Sequence, residues 1–115
     1  MNRTIQVLRE MNIFLKEELI KYVVRKALSL STDDFELRSI VGTTRYVVMK
    51  YVVNSISEKL VSEKNNHLRC GLCGKGPFTK RGLFLHLLRI HKADIIEMLD
   101  KKYREVDQET SSSSA

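Results

Sequence analysis

Apolar residues recur at helical rather than strand spacing over most of this chain. Leu15, Leu19, Val23 and Leu30 fall near a helical repeat, with Lys16, Glu17, Lys21 and Lys26 between them. This predicts helix from Ile5 to about Leu30, in one or two pieces, with no Gly or Pro to break it. Ser29 to Asp34 punctuates the chain and supplies N-cap residues for a short helix over Phe35–Val41. Val41-Gly42-Thr43-Thr44 reads as a tight turn, with Gly ending one helix and Thr capping the next. A helix from about Arg45 to Lys64 then aligns Val48, Val52, Ile56 and Leu60, flanked by Val47 and Tyr51. The β-branched run favours a strand over Tyr46–Val53, but the spacing persists to Leu60 and favours helix. Glu63–His67 reads as a polar connector and Gly-rich Leu68–Lys80 as a short hairpin. Helix resumes near Arg81 and continues through His86 and His91 towards Tyr103. The Ser-rich end has nothing to bury and is expected to be disordered. The fold class is mostly α, divided as a helical unit over residues 1–66, a hairpin-plus-helix unit over 67–104 and a tail over 105–115.

Composition agrees with this division and adds a sign. The 115 residues suffice for one small domain plus a small module, and the absence of Trp, one Pro and five Gly argue against an all-β design. The net charge is +6 and the pI about 9.5, which suits an anionic partner. The charge is unevenly placed. Between Cys70 and Lys92 stand Lys75, Lys80, Arg81, Arg89 and Lys92 with no Asp or Glu, whereas Asp94–Glu109 is acid-rich. The first ten residues lack a signal-peptide core, and no apolar run is long enough to span a bilayer. An intracellular, reducing setting with no membrane partner is therefore expected. There, two cysteines three positions apart are metal ligands or a redox pair rather than a disulfide.

The spacing Cys70-x2-Cys73-x12-His86-x4-His91 decides between them. Two cysteines separated by two residues turn towards one ion from a tight hairpin. Two histidines near the (i, i+4) relation share one side of a helix. The intervening residues finish the hairpin and start the helix. Two thiolates and two imidazoles in tetrahedral array favour one Zn2+, and four protein ligands make it structural. A redox pair would be expected in a βαβ context, which is missing. His67, just before the hairpin, is read as a solvated linker residue rather than a fifth ligand.

The segment Leu68–Lys92 resembles the Cys2His2 zinc finger of nucleic-acid-binding proteins. Leu68 stands two before the first cysteine and Leu83 three before the first histidine, both finger core positions. Pro77 holds its usual place, and Phe78 lies one residue late. The resemblance implies a ββα finger with an extended helix, contacting double-stranded DNA from helix positions −1, 3 and 6. Those positions are Thr79, Gly82 and Leu85, which are poor base readers. Lys80, Arg81 and Arg89 are suited to phosphates instead. The helix is also unusually apolar, with Leu83, Phe84, Leu85, Leu87, Leu88 and Ile90. That favours burial against other helices or a second copy, and keeps open an adaptor or dimerisation module in which the finger is a structural staple.

One finger covers only about three base pairs, so a regulator needs a second contact. Phe35–Val52 resembles a helix-turn-helix, with Leu37, Val41, Val48 and Val52 buried and Arg45, Tyr46, Met49 and Lys50 exposed on the recognition helix. Arg38 departs from the motif. A ribbon-helix-helix with a strand over Arg3–Leu8 is the competing arrangement. The combination resembles the short regulators of crenarchaeal viruses, especially spindle-shaped viruses of Sulfolobus. That implies transcription control in the cytoplasm of an archaeal cell. RNA as a partner and a homodimer stay open. A closed metal site without a nucleophile–base set predicts no enzyme.

Overall fold

The computed structural model describes residues 11–113 and is mostly helical, with one small antiparallel sheet. Ile5–Glu10 of the first expected helix, and the Arg3–Leu8 strand of the ribbon alternative, lie outside the described residues.

Helix α1 spans Ile13–Ala27 and is capped by the Asn12 side chain, which accepts from the Leu15 amide at 2.8 Å. It ends without Gly. Ser29 takes the left-handed conformation (φ 60), the Ser29 amide donates to Lys26 O and the Leu30 amide to Arg25 O. This paired closure satisfies the last carbonyls of the helix and turns the chain. Helix α2, Asp34–Val41, is capped by Asp33, whose carboxylate accepts from the Glu36 amide. Arg25 of α1 reaches Glu36 of α2, and the Tyr22 hydroxyl donates to Asp33 O. These contacts fold the second helix onto the first.

Gly42 alone separates α2 from helix α3, Thr43–Leu60. Its φ of 88° is left-handed and suits Gly, and its amide closes α2 on Arg38 O. Gly42 is itself the N-cap of α3 and no side chain caps that end, so Thr43 and Thr44 are helical rather than capping. The buried stripe of α3 is Met49, Val52, Val53, Ile56 and Leu60. Steps of four residues back from Leu60 lead to Val48 in place of Met49. Each such step overshoots a full turn by about 40°, so Val48 drifts to a half-buried flank. Val47 and Tyr51 are 74% and 58% exposed.

α3 stops at Leu60, four residues earlier than expected. Strand β1, Val61–Lys64, follows at once and pairs with β2, His67–Cys70, through the turn Asn65-Asn66. Both Asn residues have positive φ (54° and 65°), the requirement of a two-residue hairpin turn. The polar connector expected over 63–67 is therefore a hairpin tip, and the 66/67 division falls inside it. β2 has a second neighbour, since Leu68 bridges Phe78 and the Phe78 amide donates to Leu68 O at 2.8 Å.

Helix α4 is Lys80–Ile90 and helix α5 Lys92–Ser113, so the extended helix breaks at His91. Ile95, Leu99 and Tyr103 bury one face of α5, and Val106 continues it. The helix runs on to Ser113, through residues that the sequence reading assigns to a tail. α5 packs on α3 and α1, and α4 packs on α1 and β2. Among the described residues, all the buried apolar side chains, including Cys70, Leu83 and Leu87, belong to one core. The hairpin-plus-helix unit is thus continuous with the helical unit.

Candidate metal centre

The four candidate metal ligands come from three local structures. β2 delivers Cys70 into the interior at 1% exposure. A knuckle follows. The Cys70 amide donates to Lys75 O at 2.9 Å, the Gly74 amide donates to Cys70 O at 2.9 Å, and the Leu72 amide points at Cys70 Sγ at 3.4 Å. This turn carries Cys73 back to the same side, at the surface. Thr79 starts α4 by accepting from the Gly82 amide at 2.9 Å. α4 then presents His86 seven residues on, and the helix break places His91.

The ligand atoms of Cys70, Cys73, His86 and His91 all lie within 4.8 Å of one another, so the four can hold one metal ion. Ligands at about 2.0–2.3 Å in a tetrahedron stand roughly 3.3–3.8 Å apart. Cys73 Sγ and His86 Nε2 are already 3.4 Å apart. His91 supplies a second test of fit. Its Nδ1 is 2.8 Å from Asp94 Oδ2, while its buried Nε2 makes no well-formed hydrogen bond and has the Cys73 thiol as its neighbour. A buried imidazole nitrogen without a well-formed hydrogen bond is costly unless a metal ion takes the lone pair. The Asp94 contact fixes the tautomer that leaves that lone pair free. The ring of His86 also leans on Phe78, centroids 4.9 Å apart.

The two thiols are not equivalent. Burial pushes Cys70 upward, opposed in part by the amides of Leu72 and Cys73. Cys73 is lowered to about 6, chiefly by the Lys75 amide and then by His91. Burial opposes charge on His91, but Asp94 and then Cys73 outweigh it and raise the imidazole.

Asp94 was not among the site residues read from the sequence. The signal was available: a carboxylate three positions after a helical His faces it across one turn. Asp94→Ala is expected to weaken metal binding about 10- to 100-fold. Competition with a chromophoric chelator measures this, and Asp94→Asn, which keeps an acceptor oxygen, should fall between the two.

The residues read as nucleic-acid contacts are distributed differently. Lys80, Arg81 and Arg89 are exposed on α4. Arg81, Leu85 and Arg89, four apart, share its outward side, while Leu83 and Leu87 face the core. On α3, Met49 requires correction. It is 0% exposed, because the helix is rotated from the expected register, and it contacts no solvent or partner. Tyr46 is half-buried, with the Arg38 guanidinium 4.5 Å over its ring. Lys50 is exposed and pairs with Asp34 at 3.0 Å, which holds the Asp34 carboxyl below its ordinary range. Arg45 is exposed, with its guanidinium turned towards Tyr103. The α3 cations thus already serve contacts within the chain, unlike the outward Arg81 and Arg89 of α4.

Among the described residues no helix is long and apolar enough to cross a membrane. Comparison of the chain with protein-family models, curated proteins and solved structures finds no match.

Proposed function

We propose that this chain is a DNA-binding regulator built around one structural zinc ion. The observation that carries the reading is the Cys2His2 cluster set between a hairpin and a helix whose outward side is basic. Two thiolates and two imidazoles are the donor set zinc prefers, and a site closed by four protein ligands keeps no position for substrate. The reading therefore includes a structural metal and no catalysis. Cys70, Cys73, His86 and His91 would hold the ion, which when bound pins the knuckle to α4.

Duplex contact is assigned first to Lys80, Arg81 and Arg89. These face outward in a stretch without acidic residues, where phosphate attraction is strongest. Gly82 and Leu85, at the base-reading positions, offer no hydrogen bond to a base edge. Binding should thus be dominated by backbone contacts and show little sequence preference from this helix. α2 and α3 would supply a helix-turn-helix-like element, with Arg45 and Lys50 as further contacts once released from Tyr103 and Asp34. Transcription control of the kind exerted by small archaeal viral regulators is the role this combination best suits.

A second reading is a protein-interaction or dimerisation module. It is favoured by the exposure of Val47 and Tyr51, four apart on α3, and of Ile90 at 65%. A salt titration separates the two. Zinc-loaded protein should bind mixed-sequence duplex with affinity falling steeply as salt rises, and Arg81→Glu/Arg89→Glu should weaken binding about tenfold or more. Salt-insensitive self-association without duplex binding would favour the second reading.

A further inference from the structure

The β1–β2 ribbon has two chemically distinct faces. Opposed residues of an antiparallel pair share a face, and faces alternate along each strand. The register Val61↔Cys70, Ser62↔Arg69, Glu63↔Leu68, Lys64↔His67 therefore sorts the ribbon without ambiguity. Val61, Leu68 and Cys70 lie on the inner face and are half-buried or buried, with Glu63 beside them at the outer end. The other face holds Ser62, Lys64, His67 and Arg69, all exposed. Its cations share it with no acid. The tip adds two Asn side chains, and every residue from Ser62 to His67 is exposed.

The ribbon is also held in place. Its second strand ends in the ligand Cys70, bridges Phe78 through Leu68, and anchors the knuckle through the Arg69 guanidinium on Gly76 O at 3.1 Å. Its first strand continues α3 without a break. Lys75, whose carbonyl accepts from the Cys70 amide, adds another exposed cation on the knuckle.

We infer that the outward face of this ribbon, through Lys64, His67 and Arg69, is a second phosphate-binding surface for duplex nucleic acid. The inference rests on the duplex-binding reading above and extends it to Lys64 and His67, which the sequence assigns to a polar connector, and to Arg69 of the hairpin. Two-stranded ribbons enter or straddle duplex grooves, and cations at their edges take phosphates. An anionic membrane is the less suited partner, because the face offers no apolar side chain to insert. A lysine on an exposed edge strand also discourages edge-to-edge pairing, and the experiment separates that role from binding.

The test uses the full zinc-loaded chain, a short mixed-sequence duplex and fluorescence anisotropy across a salt series. Lys64→Glu/His67→Glu should bind about tenfold more weakly, with a log affinity against log salt slope shallower by about one to two. Metal content and melting temperature should stay at the wild-type values. Arg69→Gln should weaken binding less, since Gln keeps a donor. If the double variant keeps wild-type affinity and slope while Arg81→Glu/Arg89→Glu loses binding, the ribbon inference is overturned and the duplex reading stands. If the wild-type chain binds no duplex, or binds phosphatidylserine vesicles instead, both are overturned.

Discussion

Cys70→Ser is expected to remove the metal ion and much of the stability in one step. Cys70 is the most buried of the four candidate ligands, and its amide, carbonyl and sulfur all organise the knuckle. Serine preserves size and the backbone hydrogen bonds but supplies no thiolate. A ligand present at a thousand times its Kd stabilises the folded state by about 4 kcal/mol, so a loss of this order is predicted in zinc-supplemented buffer. The shape of the transition matters as much as its midpoint. Cys70, Leu83 and Leu87 share one core with α1, α3 and α5. The variant should therefore melt in a single transition at lower temperature, rather than losing a finger while the helices hold. Circular dichroism and calorimetry check this, and a separate early transition would count against the shared core.

Gly71→Ala should be nearly as damaging, although Gly71 is exposed and ligates nothing. Its amide donates to Leu60 O at 2.8 Å, joining the knuckle to the end of α3. A methyl group there would lie 2.1 Å from the Lys59 carbonyl oxygen and 2.9 Å from the Leu60 carbonyl carbon. Both neighbours are backbone, so relief requires moving the knuckle off the helix. A cost of about 2–4 kcal/mol follows, equivalent to a fall in Tm of roughly 10 °C or more. Gly74→Ala is the control. Nothing lies within 4 Å of its added methyl, and only its φ of 78° resists substitution, which costs about 1–2 kcal/mol. Equal losses at Gly71 and Gly74 would contradict the docking of the knuckle on α3.

The metal cluster was legible in the sequence because its determinants are local. The spacing of Cys70, Cys73, His86 and His91 is set by one turn and one helix, and Asp94, three residues after His91, is equally local. The helices were legible for the same reason, since apolar period and caps act within a few residues. What failed did so where distant contacts decide. The end of α3 was read four residues late because Val61 extends the apolar series, yet pairing with Cys70 draws it into a strand. The left-handed Ser29 and Asn65-Asn66 turns carry no Gly to announce them. Met49 was placed at the surface because a step of four was followed where 3.6 applies, and only packing of α3 on α1 and α5 fixes the rotation. The apolar Leu83 and Leu87 announce burial against other helices, and they share one core with them, whereas the contact of Gly71 with Lys59 and Leu60 depends on a distant element and leaves no mark in the sequence.

The fold is predicted to depend on one metal ion gathered by four side chains. Elemental analysis of the purified full chain, paired with thermal melting before and after a strong chelator, tests that directly. The prediction is one zinc per chain, lost with chelator together with a substantial drop in melting temperature, and both restored by added zinc. Protein that carries no stoichiometric metal and melts identically in chelator would contradict it.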